Sequence, residues 1–398
     1  MYMKTTLVQT LSNIRRHYVF TCIIILITFF CCGANTPQGE HKNTGVTLDR
    51  NFTINKQFNE SALLLAGMPI PAASSLYMYS QTNEYTSYCT HIEKNWSRLQ
   101  YANQQKIVQW RDKFLPYNYT KTVFYPFSGP DIINALIFFP DGAEYIMFGL
   151  ELPGEIPAPH ALPVAKIRSG LSGLGVALNN VLNVNYFKTI NMAKEISTDS
   201  FNSITGVIMF FLSRTGHEVV DVKKVWIDNN SVLVTALPQK KEPKMIPGVE
   251  ILFRKSTNAP LKRVRYFQLN VIDYSLATYT NFIPYLESQG RFTTIIKSAS
   301  YLMHNDTKFT KIRALTLSHS DYILQDDSGI ALRFFPPQKW KLTFHGTYSK
   351  PVSLFAHRYQ QDFMDAMKKY STGPLPFSYG YNFRENESNL MFAKRVGK

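Results

Sequence analysis

Few residues in this chain have the types and spacing that chemistry asks for. Asp326 and Asp327 stand side by side in "QDDSGI", with His304, His319 and Asp321 nearby, a set that could supply a general acid and base to a hydrolytic reaction. Successive residues of a strand or turn point to different sides, however, and Asp-Asp-Ser-Gly is ordinary turn chemistry. "SGLSGLG" approaches the Gly-x-Ser-x-Gly elbow of hydrolases at Ser172, but Leu174 stands where the second glycine belongs, so helix packing is the better account. "YPFSGPD" gathers Tyr125, Ser128 and the amides after Gly129 around a helix start that could accept an anion. Asp131 already fills part of that role, and turning a corner is the simpler reading.

Basic residues crowd one block. "KKEPK" at Lys240 to Lys244, Arg254-Lys255 and "KRVR" at Lys262 to Arg265 read either as solvated strand edges or as an anion-binding surface built on Lys262, Arg263 and Arg265. Metals and cofactors find no motif: the nine histidines are scattered, and neither a paired-cysteine, Walker-type nor dinucleotide fingerprint occurs. The expectation is no metal and no cofactor.

These residues need a folded body, and the composition supplies one. The 398 residues are 45% hydrophobic and 18% charged, ordinary for a globular chain and too apolar for a disordered one. A formal charge of +15 favours anionic partners in general without choosing among them. Near the N-terminus, Lys4, Arg15 and Arg16 precede an uncharged apolar run from Tyr18 to Ala34, the layout of a secretory signal or signal-anchor. Cys32-Gly33-Ala34 offers a cleavage site, and Cys31 or Cys32 offers a lipidation site, although Phe30 is large for a bacterial lipoprotein signal. Anchor or lipoprotein ranks above free secretion, and export argues against a nucleic-acid partner.

Cysteine usage agrees with a bacterial envelope. Only Cys89 lies beyond the leader, so the mature part has no disulfide to form within itself. The seven Asn-x-Ser/Thr sequons are read as accidental in an Asn-rich chain.

Residues 35–87 read as a flexible tether, 88–380 as one body with a break near 197–217 where it could subdivide, and 381–398 as a C-terminal tail. Within the body a helix is expected at "THIEKNWSRLQYANQQKIVQWRDKF", opened by a Thr90/Glu93 capping box, and another at 130–139. A strand follows from Glu144 to Leu152, then a long helix from Val164 and a further helix stopped by Gly216. A hairpin about Asp228-Asn229-Asn230 and a second strand pair come next. "FTTIIKSASYLMH" and "FTKIRALTLSHS" read as short helices, "DYILQDDSGIALRFF" as two strands about a tight turn, and "KWKLTFHGTYS" as an edge strand. Without regular alternation of strand and helix, the expected class is α+β with a mainly antiparallel sheet.

The ordered motifs "FYPFSGPDIINALIFFPDGAEYIMFGLE", "QDDSGI" and "LPFSYGY" resemble those of a family of exported bacterial proteins of unknown function. The likeness covers roughly 85–381 and implies an envelope location and one co-folding body, with no catalytic role to transfer. The functional expectation is a membrane-tethered, extracytoplasmic protein that binds an anionic or glycan-like envelope component. A hydrolase using Asp326, Asp327 and His304, and a scaffold for a surface or secretion assembly, are the alternatives.

Overall fold

The computed structural model describes residues 53–184, 201–235, 244–381 and 387–397. The apolar leader, Cys31 and Cys32 lie outside the described residues. Among the described residues seven helices come first: α1 (Lys56–Leu65), α2 (Tyr77–Ser80), α3 (Asn83–Leu99), α4 (Gln105–Phe114), α5 (Ile132–Phe138), α6 (Val164–Val184) and α7 (Ile204–Arg214). Four follow: α8 (Asp273–Thr278), α9 (Phe282–Ser288), α10 (Thr310–His319) and α11 (Gln361–Tyr370). The strands are β1 (Thr122–Tyr125), β2 (Glu144–Gly149), β3 (Glu218–Ile227), β4 (Leu233–Val234), β5 (Ile246–Arg254), β6 (Lys262–Gln268), β7 (Phe292–Ile296), β8 (Ser320–Gln325), β9 (Trp340–Gly346) and β10 (Asn389–Arg395).

The strands form one ten-stranded sheet in the order β4-β3-β5-β6-β2-β1-β7-β8-β10-β9. This is a mixed sheet, which corrects the expectation of a mainly antiparallel one. Its centre, β6-β2-β1-β7-β8, is parallel throughout, and antiparallel strands are added on both flanks. The parallel centre does not show in the residue pattern because it is buried on both faces. Strands such as "FTTII" and "SDYILQ" are buried at every position, so they lack the alternation that marks a half-solvated strand.

Helices cover both faces. Val123, Tyr125, Met147 and Ile295 face a core shared with α1 to α7, and Phe124, Ile146, Phe292 and Ile296 face a second core shared with α8 to α11. Helix α7 is buried almost all round, begins at the Ser203 cap that accepts from the Gly206 amide, and is closed by Gly216 at φ +74°. It touches α1, α5 and β3.

Several boundaries move. Ala62, Leu64 and Leu65 of α1 are fully buried, which places the described part of the expected tether inside the body. The first long helix starts at the Thr82 cap, eight residues ahead of the Thr90 box, and passes through one π turn at Gln100–Gln104. "FTTII" is strand β7 and not a helix, while residues after Ile330 form a short 3-10 turn at Leu332–Phe334 in place of a second strand. The tail contributes β10, which sits between β8 and β9, and Phe377 and Tyr379 before it are buried.

Candidate functional site

Neighbouring strands β1 and β7 send the chain in opposite directions. From β1 it passes through α5 on one face to β2, and from β7 through α10 on the other face to β8. Right-handed crossovers require that split, and it leaves a crevice beyond the carboxyl ends of the two strands, where open parallel sheets bind their ligands. A cavity of about 260 Å³ occupies this place. Its wall is built from the residues that follow four parallel strands: Tyr125 to Asp131 after β1, Phe148 to Glu151 at β2, Leu269 to Val271 after β6, and Lys297 to Ser300 after β7.

The polar floor is one buried ion pair. Lys297 Nζ lies 2.9 Å from Asp131 Oδ2, and the side chains are 1% and 5% exposed. Tyr125 donates its hydroxyl to the same carboxylate at 2.9 Å, and Asn134 donates to both oxygens at 2.8 and 3.0 Å. Burial on this scale costs several kcal/mol per ion unless the remaining lone pairs are satisfied, and here they are. Asp131 was expected to sit against the amides of the helix start. It makes no capping bond, and α5 has only seven residues, so the structure gives the carboxylate to Lys297.

The loops around the cavity are held in unusual backbone conformations. Phe127, Ser298, Ser300 and Tyr301 have φ between +52° and +59°, and Gly129 has +52°. Each non-glycine case costs on the order of 1–3 kcal/mol and persists only where surroundings impose it. Ser298 lines the cavity, and among the described residues its solvent-shielded hydroxyl has no hydrogen-bond partner. Phe127, Phe148, Phe309, Leu269 and Leu302 supply an apolar wall.

The surroundings that impose this backbone include the carboxyl pair singled out in the sequence. Asp326 Oδ2 accepts from the Ser298 amide at 3.0 Å, and its other oxygen accepts from the Ser328 amide and hydroxyl. Ser328 Oγ in turn accepts from the Ala299 amide at 2.8 Å. Asp327 accepts from the Tyr301 hydroxyl and from Asn389 Nδ2, while its own amide donates to Asn389 Oδ1. Tyr381 donates to the Ser298 carbonyl at 2.7 Å. Asp326 and Asp327 therefore brace the Lys297–Tyr301 loop from behind, outside the cavity wall. Burial raises both carboxyls; for Asp327, burial and the Asp326 charge together push it up to about 7.

His304 is brought to the same region, its ring edge-on to Tyr301 at 5.0 Å. Burial, then Arg333 and Arg358, lower it to about 3, so the ring is neutral. His319 and Asp321 lie at the opposite end of β8, Asp321 bound to Arg291 and Thr120, and they do not join the group. Ser172 is an exposed residue of α6. Among the glycines around it, Gly170 is the one that permits close approach, since a methyl there would lie 2.7 Å from the Phe201 ring.

The basic strand is interior. β6 lies between β5 and β2, not at an edge. Arg265 contacts Glu250 at 2.7 Å and Glu144 at 2.5 Å, Arg263 contacts Glu250 at 3.1 Å, and Lys223 joins Glu250 at 3.0 Å. Lys262 donates to the Pro140 carbonyl, and burial lowers its pKa. Burial pulls Arg265 down too, but Glu144, Tyr285 and Glu250 outweigh it and keep the guanidinium charged. Of the expected anion-binding residues, Arg263 and Arg265 are thus paired with two carboxylates on neighbouring strands, and Lys262 is turned onto a carbonyl. Ser128, the fourth expected anion contact, donates to the Gly129 and Phe148 carbonyls at 3.0 and 3.4 Å. Among the described residues no group of three acidic, histidine or cysteine side chains is placed to hold a metal ion.

Sequence reading missed Lys297, Ser298 and Glu151. A usable signal was present: "FTTII" is rich in β-branched residues, and the "KSAS" after it is the small-residue loop expected where a buried parallel strand ends. Comparison with family models, with curated proteins and with solved structures finds no match.

Proposed function

We propose that this protein binds a small glycan-like ligand in the cavity at the carboxyl ends of β1, β2, β6 and β7, and that its apolar leader tethers it outside the cytoplasm. The observation that carries the reading is the pre-formed cavity at the strand-order switch, lined by Ser298, whose shielded hydroxyl has no partner among the described residues. An aromatic wall opposite a few fixed polar groups suits a sugar ring, which has apolar faces and a hydroxyl rim. An anion is disfavoured. Lys297 is committed to Asp131, and Glu151 adds a negative charge to the same wall.

Turnover has less support than binding. Asp326 and Asp327 accept hydrogen bonds that shape a loop, and His304 is neutral and buried, so none of the three is presented to a ligand in the cavity. The test is calorimetric titration of the full-length protein with glucose, N-acetylglucosamine and glucosamine, and with anionic phospholipid vesicles. Saturable sugar binding that weakens about 3- to 10-fold in Ser298→Ala is expected, the effect of one hydrogen bond. Vesicle binding without sugar binding would overturn the reading.

A further inference from the structure

Glu151 stands apart from the other glutamates withdrawn from solvent. Glu144 and Glu250 face arginines within 2.5 to 2.7 Å, and Glu60 is 3.5 Å from His160. Among the described residues Glu151 has no ion-pair partner, although it lies on the wall of the cavity. Its carboxylate lies close to Gly149. One oxygen lies 3.2 Å, and the Cα of Gly129 3.3 Å, from the point a methyl at Gly149 would occupy. The absence of a side chain at Gly149 is what lets the two loops meet there.

The charges on the wall do not cancel. Asp131 and Lys297 neutralise each other, and Glu151 is left over. Burial raises its pKa, with the amides of Glu151 and Leu150 opposing, which is the signature of a carboxylate held away from water with no cation beside it. Its partners within the protein are those amides, which leaves the charge itself for a cation in the cavity to meet. Phe127, Phe148 and Phe309 line the same space, and aromatic faces attract a cation as well as a sugar ring.

We infer that Glu151 is the receptor for a cationic amine on the ligand, so that the cavity selects amino sugars or amino-polyols over their neutral counterparts. This rests on the cavity being the binding site, and the experiment separates the two claims. Full-length wild type and Glu151→Gln are titrated with glucosamine, N-acetylglucosamine and glucose at neutral pH. Wild type binds glucosamine at least about tenfold more tightly than the other two, the scale of one charge-assisted hydrogen bond. Glu151→Gln binds all three alike, with the neutral sugars within about twofold of wild type and the thermal midpoint unchanged. Neutral sugars bound as tightly as glucosamine by wild type, or a preference that survives Glu151→Gln, overturns the inference and leaves the cavity reading standing. Failure of all three sugars to bind removes both.

Discussion

Lys297 Nζ and Asp131 Oδ2, 166 positions apart in sequence, meet at 2.9 Å and tie the loop after β7 to the loop after β1. The contact closes the floor of the cavity at the point where the chain reverses its path through the sheet.

Lys297→Met leaves Asp131 buried without its cation. Urea denaturation is expected to show a loss on the order of 3–5 kcal/mol. Adding Asp131→Asn removes the stranded charge, so the double variant recovers part of the loss, and the cycle reports a favourable coupling between the two positions.

Asp327 makes stability depend on pH in the direction opposite to a salt-bridged carboxylate. Its folded pKa is raised from 3.8 to about 7, so the folded state holds its proton more tightly than the unfolded chain. The contribution is complete below about pH 4 and disappears as pH rises toward 7. Urea midpoints measured from pH 4 to 8 should therefore fall less steeply with rising pH in Asp327→Asn than in wild type.

Glu250 holds Arg263, Arg265 and Lys223 together on the interior strands. Burial alone would raise its pKa, but Arg265 and Arg263 bring it below the ordinary carboxylate range. Glu250→Gln is expected to cost on the order of 3 kcal/mol in urea, because it strands buried guanidinium groups. For the same reason reversing the charges at Lys262, Arg263 and Arg265 should lower the unfolding midpoint well before it reports on any lipid surface.

Gly149→Ala puts a methyl 2.7 Å from the Tyr266 hydroxyl and 3.2 Å from the Glu151 carboxylate. The Glu151 side chain can yield, but the Tyr266 hydroxyl ends a fully buried ring and donates to the Glu151 carbonyl at 2.8 Å, and Gly129 Cα at 3.3 Å is backbone, so the loops must shift. Circular dichroism should show the fold retained, while calorimetry shows glucosamine affinity reduced.

What was legible in the sequence follows from how local its cause is. The helix over Ile132–Phe138, the stop at Gly216, the hairpin closed by Asp228 and the edge position of β9 each depend on a few neighbouring residues, and each is found where those residues put it. The parallel centre depends on partners far apart in the chain. "FTTII" is compatible with helix or strand until β1 and β8 flank it, and β10 comes from a tail whose pairing partners begin at Ser320 and Trp340. The site shows the same division. Asp326, Asp327 and His304 were recognisable by type and do gather in one region, but their role behind the loop is set by Ser298, Tyr301 and Asn389. The arginines at 263 and 265 looked free because the glutamates that neutralise them lie on other strands.

The central claim is that a ligand occupies the space between the loops after β1 and β7. Amide hydrogen exchange of the full-length protein, with and without saturating glucosamine, tests it most directly. The account predicts slower exchange in 126–132 and 297–301 on addition of the sugar, with Lys262 to Arg265 unchanged. Protection confined to the β5–β6 strands, or none in either loop while the sugar is bound, would contradict it.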